Sequence, residues 1–154
     1  MTERTAIESL AGATLAISAS LPATYDAAGY GTSTITYTAI GQIESYGDHG
    51  VEASVTKFTP VDTAVVAKVK GSKDYGSMSV VLGRLPSDAG QDIVETAAES
   101  TSHYSLKFTY PDTSVHYMDV IVTKFVDMGG QVNDVHKLRV EFEICRKPVI
   151  VAQS

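Results

Sequence analysis

The stretches YSLKFTYPDTSVHYMDVIVTKF, residues 104–125, and KLRVEFEICRKPVI, residues 137–150, decide the fold of this chain. The first stretch is rich in β-branched and aromatic residues and predicts a β-hairpin. In the second stretch apolar and mainly polar residues alternate: Leu138, Val140, Phe142 and Ile144 with Arg139, Glu141, Glu143 and Cys145. Since successive side chains of a strand point to opposite faces, this alternation predicts a strand with one buried face. The two stretches indicate a mainly β, antiparallel protein.

One helix is predicted between the strands, over about residues 88–100, in SDAGQDIVETAAES. Asp88 is followed three positions later by Gln91, which is similar to a capping box, and the acidic first turn suits the helix dipole. The apolar stripe predicted to lie against the sheet contains Ala89, Ile93, Val94, Ala97 and Ala98. The acidic residues predicted to face outward are Asp92, Glu95 and Glu99.

The first half of the chain predicts further strands separated by loops. ATLAIS from Ala13 and the run from Ile35 to Tyr46 are strand candidates, and the small-residue stretch from Ser20 to Thr34 is a loop that could pack on a neighbour as an arm. Residues 53–58 and 62–70 predict two further extended segments. Residues 70–82, KGSKDYGSMSVVL, predict a polar loop and then a strand.

These segments, taken with TAIGQIESYG at residues 38–47, resemble in type and order the major tail tube protein of long-tailed bacteriophages, from about Gly12 onward. One departure lies at Arg146, which replaces the glycine of that family's closing segment. The resemblance implies an antiparallel β-sandwich or partial barrel with one flanking helix and a long loop or hairpin at about residues 47–75. It divides the single domain, 1–154, into an N-terminal strand and arm, 1–34, the body, and a C-terminal tail, 146–154.

The function implied by this resemblance is structural. Tail tube proteins form rings, here expected to be hexameric, that stack into the virion's tube for DNA delivery. The expected partners are other copies of the chain, the tail tip or initiator complex, the tape measure protein and the tail terminator, and synthesis is expected in the bacterial cytoplasm. The candidates for contacts between rings are Val51, Lys57, Lys68, Lys70, Lys73 and Asp74. The candidates for contacts within a ring are Asp92, Glu95 and Glu99, and those for the lumen are Glu141 and Glu143.

Composition fits a subunit surrounded by its neighbours. The chain has 154 residues, of which 44% are hydrophobic and only 19% charged, enough for one core and a largely small, neutral surface. A β-rich protein with many turns has the same composition. The net charge of −6, without a basic stripe, argues against specific nucleic-acid binding. An acidic or neutral wall suits a channel in which DNA must slide, although such charge also serves solubility.

No residue pattern predicts an enzyme, a cofactor or a metal. Cys145 is the only cysteine, so no intrachain disulfide can form, and no histidine lies beside it in sequence. The histidines form no ligand pair: His49, His103, His116 and His136. The first residues carry Glu3 and Glu8 where a signal peptide needs positive charge, and we expect no association with membranes.

Two alternative functions remain open from the sequence. A tube protein of a contractile tail or of a type VI secretion system would share the fold by resemblance. A monomeric ligand-binding β-sandwich would need an exposed aromatic platform, for which a chain with no Trp and eight scattered Tyr offers little.

Overall fold

The computed structural model describes residue 7 and residues 9–152, so residues 1–6 and 8 of the predicted arm and 153–154 of the predicted tail lie outside the described residues. Strands dominate it. The elements are β1 (Thr14–Ser18), α1 (Ala27–Tyr30), β2 (Thr38–Ile40), β3 (Ile43–Tyr46), β4 (Glu52–Phe58), β5 (Ala67–Asp74), β6 (Ser77–Gly83), α2 (Ala89–Glu99), β7 (Tyr104–Thr109), β8 (Val115–Asp127), β9 (Lys137–Ile144) and β10 (Val149–Val151).

Eight of these strands form one antiparallel sheet in the order β2-β1-β7-β8-β9-β6-β3, with β10 beside the first residues of β8. β4 and β5 pair separately. The prediction of a mainly β, antiparallel fold with a flanking helix is confirmed, and the sheet stops short of a closed barrel. The hairpin predicted from residues 104–125 consists of β7 and β8, and the alternating stretch from Lys137 forms β9.

The core lies on one face of this sheet, because each strand turns alternate apolar side chains toward it. In β9 these are the four predicted residues, Leu138, Val140, Phe142 and Ile144, each at most 6% exposed. The same face includes Leu106 and Phe108 of β7, and Met78, Val80 and Leu82 of β6. Val94 and Ala97 of α2 complete the core.

The predicted strand from Ile35 to Tyr46 is broken, and this break shapes the sheet. β2 ends at Ile40 and β3 begins at Ile43, with Gln42 between them at a φ of 61°. β2 and β3 are the first and last strands in the sheet order, yet only Gly41 and Gln42 connect them. Two residues span less than about 10 Å, so the two edges must approach each other and the sheet must roll up.

The first turn of α2 closes the seam between these edges. The Asp88 carboxylate accepts hydrogen bonds from the Gly41 N–H at 3.1 Å and the Gln91 N–H at 3.0 Å. The fully buried Gln91 amide donates to the Gly41 and Gly83 carbonyls, and its oxygen accepts from the Leu85 N–H. The predicted cap at Asp88 is therefore present, and Gln91 joins three chain segments.

The apolar stripe predicted on α2 is present except in its first turn. Val94 and Ala97 are buried in the core, and Ile93 and Ala98 pack against it, whereas Ala89 is exposed. In the first turn the buried residues are Gly90 and Gln91. The backbone comes close there, since an added Cβ at Gly90 would lie 2.1 Å from the Ala39 carbonyl oxygen.

The loop predicted from Ser20 to Thr34 as a possible arm on a neighbour packs on the outer face of its own sheet. Tyr30, at the end of the short helix α1, is 1% exposed and stacks on Tyr117 of β8 with ring centroids 5.3 Å apart. The Tyr37 hydroxyl donates to the Tyr30 carbonyl at 2.9 Å, and the Ser105 hydroxyl donates to the Ser20 carbonyl at 2.7 Å. This layer covers part of β7 and β8.

We predict that Gln91→Ala lowers the free energy of unfolding by about 3 kcal/mol, because it removes three hydrogen bonds of a buried amide, to the Gly41 and Gly83 carbonyls and from the Leu85 N–H, each contributing about 1 kcal/mol. Urea denaturation followed by circular dichroism measures this change. The matched control is Gln131→Ala, since the Gln131 side chain is exposed. A loss no greater than that of the control would contradict the assigned role of Gln91.

Candidate assembly surfaces

The hairpin formed by β4 and β5 stands away from the body. Its strands pair with each other and with no other described strand, and every residue of β5 is exposed. Eight strand residues give it a length of about 25 Å. The loop or hairpin predicted at about residues 47–75 is confirmed. Its second strand, Ala67–Asp74, lies later than the extended segment predicted at residues 62–70, so most of the polar loop predicted from residue 70 onward is strand. Pairing with β4 sets this position, which the local sequence does not show.

One face of this hairpin is basic. The register pairs Lys57 with Lys68, Val55 with Lys70 and Ala53 with Lys73. Ala53, Val55 and Lys57 alternate along β4 and share a face, so their partners share it too. A one-residue irregularity between Lys70 and Lys73 brings the fourth lysine onto this face. The four lysines predicted to contact the next ring are spaced irregularly in the sequence. In the structure they form one surface.

The opposite face of the hairpin is apolar. Thr56 pairs with Val69 and Phe58 with Ala67, and both large side chains are well exposed, Phe58 at 66% and Val69 at 62%. The connecting loop adds the exposed Val61, Val65 and Val66. A two-stranded hairpin that exposes such a face gains stability when a partner covers it.

A cleft of about 420 Å³ lies at the hairpin root, between the hairpin and the body. Two further candidates for contacts between rings lie here. Val51 lines the cleft. Asp74 is nearby, and its carboxylate accepts a hydrogen bond from the Gly76 N–H at 2.8 Å. Lys70, Lys73 and Lys147 give the cleft positive charge. Lys147 is not among the residues predicted from the sequence. It lies near the hairpin lysines because β10, which follows it, pairs with β8.

Two histidines connect the hairpin root to the sheet. His49 Nε2 lies 3.0 Å from His116 Nδ1. Burial lowers the pKa of both imidazoles, and the nearby His49 lowers that of His116 further, outweighing the opposite effects of Asp48 on His49 and of Asp112 on His116. Both rings are therefore neutral at neutral pH, as a hydrogen bond between two imidazoles requires.

The acidic outer surface of α2 is exposed as predicted from its spacing. Asp92 and Glu99 are exposed, and Glu95 forms an ion pair with Arg84 at 3.6 Å. The role of this surface in contacts within a ring stays a prediction.

The polar face of β9 is less acidic than the sequence indicates. Glu141 is 3.8 Å from Lys124 of β8, and Arg139 lies exposed on the same face as Glu141 and Glu143. Ser77 and Ser79 of β6 lie opposite Glu143 and Glu141. This face carries two carboxylates and two basic groups, so it is close to neutral. Its position at a lumen stays a prediction.

Arg146, where the sequence departs from the tail tube pattern, has a structural explanation. Its guanidinium donates to the buried Asp119 at 3.2 Å and lies 3.8 Å from the centre of the Tyr25 ring. His103 Nδ1 contacts the other Asp119 oxygen at 3.0 Å. This cluster attaches the arm and the C-terminal turn to β8. Cys145 is adjacent, and burial with the nearby Asp119 raises the pKa of its thiol, the opposite of what activates a nucleophile.

The described part of the chain lacks two further kinds of feature. No group of three or more His, Cys, Asp or Glu side chains is placed to hold a metal ion. None of its helices has the length and apolar character needed to cross a membrane.

Comparison with known proteins found similarity in structure. No family model matches the chain, and no curated protein does. A chain of the SPP1 tail tube has a TM-score of 0.64 at 11% identity, over 92% of this chain and 77% of that one. A chain of the tail of an empty gene transfer agent particle, refined with C6 symmetry, has a TM-score of 0.64 at 11% identity, over 90% and 96%.

This chain has the tail tube fold. A third match, from the PVC sheath/tube terminator of an extracellular contractile injection system, has a TM-score of 0.61 at 8% identity, over 91% of this chain and 93% of that one. The resemblance expected from the order of the sequence segments is thereby confirmed for the fold. Since the fold occurs in both kinds of particle, it does not by itself separate a contractile from a non-contractile tail.

We predict that stability falls as pH decreases from about 7 to about 5. The unfolded histidines, with pKa near 6.5, bind protons before the folded ones do, so protonation favours unfolding by up to about 1.4 kcal/mol per pH unit for each group. The urea midpoint should change less with pH across this range in the double variant His49→Gln/His116→Gln than in the parent protein. The exposed His136→Gln is the control, and equal slopes for all three proteins would contradict the prediction.

Proposed function

We propose that this protein is the structural subunit of a phage-like tail tube, forming hexameric rings that stack into a conduit for DNA. The observation that carries the proposal is the exposed β4–β5 hairpin, with one basic and one apolar face, on a tail tube fold. A side chain such as Phe58 contributes about 1.5–3 kcal/mol when it is buried. The hairpin therefore has the surface for a strong contact and lacks a partner within its own described chain.

Assembly needs two different contacts. A head-to-tail contact that closes by rotation forms a ring, and we assign the acidic surface of α2, with Asp92, Glu95 and Glu99, to it. A second contact that does not close stacks the rings, and we assign the hairpin to it.

The polar face of β9 is the proposed wall of the lumen. Glu141 and Glu143 with Arg139 and Lys124 present alternating charge, so a passing DNA duplex meets neither a strong attraction nor a uniform repulsion. In this assignment the protein is part of the virion and carries out no chemistry. Its partners are further copies of itself, the tail tip or initiator complex, the tape measure protein and the tail terminator, and it is made in the host cytoplasm.

A tube of a contractile particle is the second candidate, favoured by the similarity to the contractile injection system chain. It would assemble in the same way and differ in the binding of a sheath. The monomeric ligand-binding sandwich has no comparable observation in its favour.

We predict that the intact protein, when concentrated, forms hollow tubes or stacked rings in negative-stain electron microscopy. A variant with residues 51–74 replaced by a short Gly/Ser linker forms only monomers or single rings, because the stacking surface is gone. Its thermal midpoint should stay within a few degrees of the parent, since the hairpin pairs with no other strand of the body. Intact protein that stays monomeric when seeded with tail tip complexes would overturn the proposal.

The lumen assignment predicts that tubes of Glu141→Lys/Glu143→Lys retain double-stranded DNA at low salt, because lysines attract phosphates. The retained DNA should resist added nuclease, since it lies inside. Co-sedimentation with and without nuclease measures both effects, and Glu141→Gln/Glu143→Gln is the uncharged control. DNA that is retained but fully digested would place these residues on the exterior.

A further inference from the structure

A turn at the opposite end of the molecule from the hairpin has the shape and charge to fill the cleft at the hairpin root. β6 and β9 pair from Ser77 with Glu143 at one end to Gly83 with Lys137 at the other. The hairpin precedes Ser77, and the loop of residues 128–136 precedes Lys137. The cleft and this loop therefore lie at opposite ends of the same two strands. Stacking in one direction brings opposite ends together.

The tip of this loop is a defined turn. The Asp134 N–H donates to the Gln131 carbonyl at 3.0 Å, and the Asp134 carboxylate accepts from the Gln131 N–H at 2.7 Å. Between them Val132 is fully exposed. Val135 beside the turn is 69% exposed, and Val126 of β8 is 44% exposed. Self-contained hydrogen bonds fix the turn, so docking it would cost little ordering entropy.

The cleft offers complementary apolar walls. Tyr75, Tyr110 and Pro148 contribute to its lining, and the rim contains Val51, 61% exposed, and Ile150, 67% exposed. Its volume of about 420 Å³ accommodates a turn of a few residues rather than a single side chain. Neither Val51 nor Ile150 is covered by the described part of its own chain.

The charges of the two surfaces also match. The cleft carries Lys70, Lys73 and Lys147, whereas the loop carries Asp127 and Asp134. Asp127 contacts His136 at 3.0 Å and Asp134 contacts its own turn, but both residues are exposed and each carboxylate can accept further hydrogen bonds. Opposite charges steer the two ends together and oppose stacking of like ends.

From these observations we infer that the 131–134 turn of one subunit docks into the hairpin-root cleft of a subunit in the next ring. The inference rests on the proposed stacking and adds the partner surface for it. Each subunit then contacts one neighbouring ring through its hairpin and cleft, and the neighbouring ring on the other side through its 131–134 turn. This arrangement gives the tube one direction, because turn and cleft cannot exchange places.

Cysteine crosslinking of assembled tubes tests this contact. The variant carries Cys145→Ser to remove the natural thiol, with Val132→Cys and Ile150→Cys, and reacts with a short bismaleimide. Each subunit then joins the next ring, so denaturing gels should show a ladder longer than one ring of subunits. The controls are each single cysteine and the pair Thr96→Cys with Ile150→Cys, in which Thr96 lies on the exposed side of α2.

Tubes that form but give no ladder, or a ladder ending at the size of one ring, would overturn the inference and leave the proposed function intact. A parent protein that forms no tubes under any condition would instead overturn the proposed function.

A charge exchange provides a second test if the cysteine variant assembles poorly. Asn133 is exposed between Val132 and Asp134. We expect Asn133→Lys or Lys147→Glu alone to raise the critical concentration for tube formation about threefold, as for an exposed ion pair. The double variant should restore it, and Asn133→Gln should leave it unchanged. Additive losses in the double variant would overturn the proposed contact.

Discussion

The connection of two sheet edges through Gly41 and Gln42 is the constraint on which the remaining structure depends. β2 and β3 must lie close together although five strands separate them in the sheet, so the sheet rolls around its core. Rolling exposes backbone groups at the seam, and Asp88 and Gln91 satisfy them from the first turn of α2. A buried amide can do this because it donates and accepts at once. The first turn of α2 thus links the helix to the seam and to the core beneath it.

Charged side chains and exposed apolar side chains lie together at both ends of the rolled body. The hairpin root at one end combines lysines with the exposed Val51 and Ile150, and the loop at the other combines aspartates with the exposed Val132. Within one subunit these surfaces are separated by the length of β6 and β9 and cannot meet. In a stack of like-oriented subunits they are neighbours. A soluble monomer and a directional polymer are both consistent with this division.

The charges of individual surfaces differ from the net charge of the chain. The net charge of −6 indicates an acidic protein, yet the polar face of β9 is close to neutral because Lys124 and Arg139 accompany the two glutamates. The hairpin is basic although the chain is acidic. The excess of negative charge lies elsewhere, including the outer surface of α2, where it favours solubility of the free subunit.

The sequence by itself determined the mainly β class, the capped helix, the strand at residues 137–144 and the order of the segments, because alternation and the cap at Asp88 are local patterns. It also placed the buried face of β9 correctly. Tertiary structure decided the break at Gly41, since nothing local distinguishes one long strand from two strands on opposite edges. It decided that the first turn of α2 buries Gly90 and Gln91 and leaves Ala89 exposed, because the backbone of Gly90 lies close to that of Ala39. Only the tertiary structure places four lysines on one face of the hairpin and Lys147 near them. It also places the cleft and the 131–134 turn at opposite ends of β6 and β9. Strand register and pairing partners depend on residues far apart in the chain, so neighbouring residues do not predict them.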